Sequence, residues 1–156
     1  MGFGESVRTV YSKYATFSGR ATRSEYWWFI LFYMIAYAAL TFVDGALFGS
    51  VERLVYGVKV EMQVMALSGI FALASFLPSL GVAVRRLHDT DRSGWWFLIA
   101  FVPLIGFIVL LVFFVTDGTR GANRFGPDPK GGDTTGFGGG GGGAYTSSDI
   151  PGVKRD

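Results

Sequence analysis

The residues of this sequence that are suited to chemistry lie in two short polar segments, residues 20–25 and 85–92. His88 next to Asp89 has the composition of a general base, because a carboxylate can orient an imidazole that titrates near neutrality. The flanking arginines could clamp an anion. The polar candidates of the two segments are Arg20, Arg23, Glu25, Arg85, Arg86, His88, Asp89, Asp91 and Arg92.

An enzyme acting on lipid or phosphate would need a nucleophile beside His88, and Ser24, Thr90 and Ser93 are the available hydroxyls. Adjacent histidine and aspartate also arise by chance, so we assign no catalytic residue and leave enzymatic activity as an open alternative. The chain has no cysteine and one histidine. This excludes disulfides, iron–sulfur clusters and histidine-rich metal sites, and we expect neither cofactor nor metal.

The composition indicates a membrane protein. Half of the 156 residues are hydrophobic and 17% are charged, against about 25% charged residues in soluble domains. A net charge of +2 is too small for a nucleic-acid-binding protein but suits anionic headgroups. The expected partners are therefore anionic membrane lipids, a second copy of the chain or a membrane protein, and not nucleic acid.

Three apolar runs, residues 26–48, 62–84 and 95–115, each reach the length of about 20 residues that crosses a bilayer. Too few residues remain to bury three such helices in a soluble domain. We therefore predict an all-α, multi-pass integral membrane protein with about three transmembrane helices.

The ends of the runs carry the signals expected at the boundaries of membrane spans. Thr22 and Glu25 form a capping-box pattern before the first run, and Arg85 and Arg86 are expected to end the second. Asp44 is the one charge that approaches the interior of a run. Because intramembrane ionisable residues mark transport paths, their scarcity argues against a transporter or channel.

The third run contains Pro103 and Gly106. Proline removes a helical hydrogen bond and clashes with the preceding turn. The run is either a kinked span or a re-entrant hairpin, and the side on which the C-terminus lies depends on this choice.

A short helix is predicted before the first run, because Phe3, Val7, Val10, Tyr11 and Tyr14 fall on one helical face. Its amphipathic pattern is typical of a helix that lies in the membrane interface.

The C-terminal residues 131–156 are rich in glycine and cannot bury enough apolar area to offset their ordering entropy. We predict a membrane domain over residues 1–130 and a disordered tail over residues 131–156.

The distribution of lysine and arginine favours a cytoplasmic N-terminus. In either orientation the first run starts, the second ends and the third starts at one membrane surface. The two polar segments must therefore meet, and we expect Glu25 to pair with Arg85 or Arg86; the alternative is that Glu25 serves its own capping box.

These patterns predict a non-enzymatic membrane module that binds lipid headgroups or partner proteins through the basic cluster. The competing interpretation is that the arginines set topology and pair with Glu25, Asp89 and Asp91. A small transporter or channel is an alternative that would require an oligomer, since three helices enclose no pore.

Four motifs carry a family resemblance: residues 17–27 (FSGRATRSEYW), 85–96 (RRLHDTDRSGWW), 103–106 (PLIG) and 123–129 (NRFGPDP). Over residues 8–130 the chain resembles the domain of unknown function 805 family of small bacterial inner-membrane proteins. The resemblance implies a plasma-membrane location. It implies no activity, so no site residues carry over from it.

Overall fold

The computed structural model describes residues 1–55 and 57–131. Four α-helices, one 3-10 helix and one β-hairpin account for the regular structure of these residues. In chain order the elements are α1 (Phe3–Ser12), α2 (Arg23–Phe48), β1 (Ser50–Val55), β2 (Val58–Gln63), α3 (Leu67–Asp89), the 3-10 helix (Gly94–Phe101) and α4 (Ile105–Val115). Apart from Gly131, the predicted glycine-rich tail lies outside the described residues.

The first predicted span is present as α2. The Thr22 side chain accepts from the backbone N–H of Glu25 at 3.1 Å, which caps the helix as expected. The helix ends before Gly49, whose φ of +64° is accessible mainly to glycine. Both α2 and α3 are long and apolar enough to cross a membrane.

The second predicted span is displaced at both ends. Residues up to Gln63 belong to β2, which pairs with β1 in antiparallel register, so the expectation of an all-α chain is wrong here. At the other end, α3 continues through Arg85 and Arg86 to Asp89. The two arginines do not end the helix, because they are buried and paired instead of facing water.

Asp44 is a cap for α3 supplied by α2. Its carboxylate oxygens accept from the backbone N–H groups of Leu67 and Ser68, each at 2.9 Å, and from the Ser68 hydroxyl at 2.7 Å. These are donors that the first turn of a helix leaves without a partner. The one charge that approaches the interior of an apolar run is thus satisfied by a structural contact.

The third apolar run folds into a helical hairpin. The 3-10 helix and α4 are separated by residues 102–104 and pack against each other, with Trp96 meeting Phe113 edge to face at 5.5 Å. Gly106 permits this close approach, since a Cβ at that position would lie 1.8 Å from the Ile99 carbonyl oxygen.

Each arm of this hairpin is only about 16 Å long, from the rises of 3-10 and α-helices. Gly94, at its start, lies against Val84, and the Thr116 carbonyl, just past its end, accepts from Arg86. Both ends therefore lie beside the C-terminal turns of α3. Of the two sequence-based alternatives, the structure has the hairpin shape.

The predicted N-terminal helix is present as α1, and its apolar face packs on α2 and α3. Val10 is fully buried, and the Tyr11 hydroxyl lies 2.7 Å from that of Ser75. Val10 joins Phe29, Val82, Leu87 and other apolar side chains in the core between the helices.

Candidate functional site

The two polar segments meet, as the sequence predicted, at the end of the molecule opposite the β-hairpin. The backbone N–H of Ala21 donates to the Arg85 carbonyl at 3.0 Å, which joins the chain just before α2 to the last turns of α3. We call this end of the molecule the network end, after five buried charged residues that form an ion network there. Its members are Arg20, Glu25, Arg85, Arg86 and Asp89.

The first part of the ion network joins α2 to α3. Arg85 Nη1 donates to Glu25 Oε1 at 2.8 Å, and the two side chains are 1% and 3% exposed. The capping box is thus half formed: Thr22 accepts from Glu25 N–H, while the Glu25 carboxylate turns to Arg85. Within the described residues, Arg85 Nε and Nη2 have no hydrogen-bond partner.

The second part is centred on Asp89. One carboxylate oxygen accepts from Arg20 Nε at 2.9 Å, and the other accepts from Arg86 Nη1. Arg86 also donates from Nε to the Phe114 carbonyl at 3.2 Å and from Nη2 to the Thr116 carbonyl. Arg86 therefore fixes the end of the helical hairpin to α3.

The segment after the hairpin, residues 116–131, covers the network, and we call it the strap. Arg20 donates to the carbonyls of Gly121 at 2.6 Å and Thr119 at 2.5 Å. The Thr119 N–H donates in turn to the Asp89 carbonyl at 2.8 Å. Gly118 lies so close to Asp89 that a Cβ would be 2.1 Å from Oδ2.

His88 is engaged by the loop before α2 and by the strap. Its Nδ1 lies 3.1 Å from the Gly19 carbonyl, and its ring stacks on Phe125 with centroids 3.9 Å apart. Both oxygens of the neighbouring Asp89 carboxylate are held by arginines. The structure therefore does not assemble His88 and Asp89 as a general base.

The hydroxyls that could have served as nucleophiles have other hydrogen-bond partners. Ser93 accepts from the backbone N–H of Trp95, Thr90 donates to the Leu87 carbonyl, and Ser24 contacts Thr22. Within the described residues, no group of three histidine or carboxylate side chains is placed to hold a metal.

The remaining predicted site residues lie nearer the surface. Arg23 pairs with Asp117 at 2.8 Å, Arg92 lies 4.0 Å above the Phe113 ring, and Asp91 pairs with Arg124 at 3.2 Å. Arg20, Glu25, Arg85, Arg86 and Asp89 are buried inside the network. The predicted cluster thus divides into a buried, paired part and an accessible part.

The strap supplies residues that sequence reasoning missed. Lys130 donates to Asp117 at 2.8 Å and, with Arg23 nearby, lowers the pKa of that carboxyl. Backbone N–H groups of Lys130 and Gly121 lower the pKa of Asp128. The motif at residues 123–129 was the available signal, although its composition alone does not show what it contacts.

Comparison with known proteins identifies relatives of the chain. A family model described as a protein of unknown function, DUF805, matches residues 14–127. Inner membrane protein YhaI of Escherichia coli strain K12 is 49% identical over 122 residues, which cover 78% of this chain and 92% of YhaI. Inner membrane protein YhaH of the same strain is 44% identical over 121 residues, covering 78% and 93%.

No solved structure matches the chain. The family match spans both polar segments, the apolar hairpin and most of the strap, so the parts that build the ion network all fall within the matched residues. The chain belongs to the DUF805 family.

Proposed function

We propose that the protein is a non-enzymatic module of the bacterial inner membrane that binds anionic lipid headgroups at its network end. The names of YhaI and YhaH as inner membrane proteins support the location, as do the two apolar helices of spanning length. The membrane domain in this proposal comprises residues 1–130, with α1 at the interface.

The proposed topology has two crossings, α2 and α3, and a hairpin that enters and leaves on one side. This places α1, the ends of the hairpin and the strap together at the network end. Among the described residues, that end then has ten lysines and arginines against six acidic residues, and the opposite end has two against three. By the positive-inside rule, the network end faces the cytoplasm.

The observation that carries the binding proposal is the surplus of accessible cations beside a buried, ion-paired network. Arg8 and Arg120 are exposed and, within the described chain, make no ion pair with a carboxylate. Each exposed basic residue near an anionic surface contributes about 1 kcal/mol of attraction. The ion network holds the strap that presents Arg120, and the packing of Val10 and Tyr11 holds the helix that presents Arg8. Less ordering entropy is therefore lost on binding.

The proposal is tested by the thermal stability of the full chain in nanodiscs of zwitterionic lipid containing increasing phosphatidylglycerol. We expect phosphatidylglycerol to raise the Tm, because a ligand that binds the folded state stabilises it, and added salt to weaken the effect. Arg8→Gln combined with Arg120→Gln should remove a large part of the rise.

The matched control removes positive charge at the other end of the molecule. Lys59 is exposed in β2, and Lys59→Gln should leave the effect of phosphatidylglycerol unchanged. Equal responses of wild type and the double variant would contradict binding through these cations. A third outcome would favour a partner protein over lipid as the ligand. In it, the Tm does not respond to phosphatidylglycerol, and a crosslinker placed at position 8 or 120 captures a protein in native membranes.

A further inference from the structure

An apolar groove of about 410 Å³ runs between α2 and the re-entrant hairpin. Its walls include Tyr26 and Trp27 from α2, Ala100 from the 3-10 helix, and Phe107 and Phe114 from α4. The two arms of the hairpin are packed on each other, so the groove is bounded by fixed elements. It opens to the side of the molecule, where Phe107 is 68% exposed.

Arg23 stands at the mouth of this groove. It lies one helical turn before Trp27, on the same face of α2, and its Nη1 donates to the Val115 carbonyl at 3.2 Å, one residue beyond Phe114. Arg23 also lines a second depression of about 640 Å³ at the network end, together with the charged residues Glu5 and Lys130. Arg23 therefore lines the depression and lies beside the wall of the apolar groove.

The charges around the depression are of both signs. Arg23 and Lys130 both pair with the same carboxylate oxygen of Asp117, each at 2.8 Å. Two cations and one carboxylate leave this group of three side chains with one surplus positive charge. Across the depression, the exposed carboxylate of Glu5 accepts from the Gly2 N–H at 3.2 Å through one oxygen. One surplus cation and one accessible carboxylate above an apolar groove match the phosphate, the ammonium and an acyl chain of a single lipid.

We propose that this composite site holds one molecule of phosphatidylethanolamine. The phosphate lies on Arg23 and Lys130, the ammonium on Glu5, and one acyl chain in the groove between α2 and the hairpin. Charge complementarity selects this occupant, because a purely anionic headgroup would place negative charge against Glu5. The site goes beyond the proposed binding of anionic lipid, which depends on other cations.

The test is native mass spectrometry of the full chain extracted in mild detergent from membranes with equal phosphatidylethanolamine and phosphatidylglycerol. We expect one retained phosphatidylethanolamine per chain. Ala100→Trp, which fills the groove without changing charge, should abolish retention. Leu98→Trp is the matched control, since Leu98 is half exposed in the same 3-10 helix and lines a different cavity.

Glu5→Gln tests the headgroup assignment separately. Loss of the charge-assisted contact to the ammonium should lower the ratio of retained phosphatidylethanolamine to phosphatidylglycerol by about tenfold. The proposal is overturned if Ala100→Trp retains lipid as wild type does, if Leu98→Trp loses it equally, or if Glu5→Gln leaves the ratio unchanged. The response of Tm to phosphatidylglycerol does not depend on Ala100, so failure of either proposal is distinguishable from failure of the other.

Discussion

At the scale of single residues, the main feature is a buried network with three arginines and two carboxylates. Burying charges is costly, and the attraction between them offsets this cost only where geometry and further hydrogen bonds are good. Asp89 meets this condition because each of its oxygens accepts from an arginine. The network therefore specifies which helix ends meet.

The ion pair between Glu25 and Arg85 should show energetic coupling. Because they are within 3% of complete burial, removing either partner leaves a buried charge, which typically costs about 3–5 kcal/mol. In a double-mutant cycle of Glu25→Gln and Arg85→Gln, we expect the two losses to be non-additive by about 1–3 kcal/mol. The measurement is the free energy of unfolding in detergent.

The control for this cycle is built into the same helix. Arg86 is adjacent in sequence but donates to Asp89, so Glu25→Gln with Arg86→Gln should be close to additive. If Arg86 coupled to Glu25 as strongly as Arg85 does, the assignment of pairs in the network would be wrong.

Gly118 should be intolerant of any side chain. A Cβ at this position would lie 2.1 Å from Asp89 Oδ2, so Gly118→Ala must displace either the strap or a carboxylate held by two arginines. We expect a loss of about 1–3 kcal/mol, the usual cost of overpacking, seen as a lower Tm. Gly69→Ala in α3 meets no atom within 4 Å and should cost nothing; a similar loss there would contradict the explanation.

At the scale of elements, the strap and the helical hairpin depend on each other. Arg86 holds the carbonyls at the end of α4, and the chain then passes directly into the strap, which closes over Arg20 and Asp89. Asp128 stabilises the far part of the strap by accepting from the Gly121 and Lys130 N–H groups. The strap is therefore held by carboxylates at the surface as well as by the buried network.

The surface contacts of the strap should weaken in acid. The pKa of Asp128 is lowered in the folded chain by the backbone donors of Lys130 and Gly121. A carboxyl with a lowered folded-state pKa stabilises the fold above its unfolded pKa of about 3.9, and the contribution is lost as pH falls through the lower folded value. Hydrogen exchange of residues 116–131, corrected for intrinsic rates, should therefore accelerate near and below that pH.

Asp128→Asn tests whether titration of Asp128 causes the acceleration of exchange in acid. It should raise exchange in the strap at neutral pH and reduce the further acceleration in acid, because the titrating group is gone. Glu52→Gln, in the exposed β-hairpin, should change neither the exchange rate of the strap at neutral pH nor its acceleration in acid. An acid response as large in Asp128→Asn as in wild type would assign the effect to another group.

The sequence predicts an element well where its signals are local and poorly where the element depends on contacts with distant residues. Length and capping placed α2 correctly, because both are local. The second span was displaced because hydropathy does not record that Arg85 and Arg86 are paired inside the fold. The alternation of residues 58–63, VKVEMQ, did signal a strand, but it overlapped the start of an apolar run.

The sequence predicted where the candidate site lies, but it did not predict which of the charged side chains there are buried. Convergence of the polar segments followed from antiparallel spans alone, and it placed Glu25 near Arg85. Which cations are covered depends on the strap, whose position rests on contacts such as Arg20 with the Thr119 carbonyl. Every residue type has a backbone carbonyl, so the sequence does not show which carbonyls accept from an arginine. Burial of the network could therefore not be predicted from composition.

At the scale of the whole molecule, the hairpin decides which charges share a membrane surface in the proposed topology. If residues 94–115 crossed the bilayer, Arg120, Arg124 and Lys130 would lie opposite the N-terminus and the charge bias would be small. With both hairpin ends beside α3, they lie with Arg8 and Lys13 at the network end. The same folding of one apolar run thus produces the charge asymmetry and brings the strap to the network.

The topology can be tested by thiol labelling, since the chain has no native cysteine. Single cysteines are introduced at Ser18 before α2, at Ser50 in β1 and at Ala122 in the strap, all exposed positions. In sealed inverted vesicles, we expect an impermeant maleimide to label Ser18→Cys and Ala122→Cys, because the proposed topology places both at the network end and that end in the cytoplasm. Ser50→Cys should be labelled only after the vesicles are opened.

The position that discriminates is Ala122. A continuous third span would place it with Ser50, whereas the re-entrant hairpin places it with Ser18, whichever side the network end faces. Two arms of about 16 Å cannot each cross a hydrocarbon core of about 30 Å. The shape of the hairpin therefore predicts that Ala122→Cys is labelled together with Ser18→Cys. Labelling of Ala122→Cys together with Ser50→Cys would refute it, and labelling of Ser50→Cys alone in sealed inverted vesicles would keep the hairpin but reverse the proposed orientation.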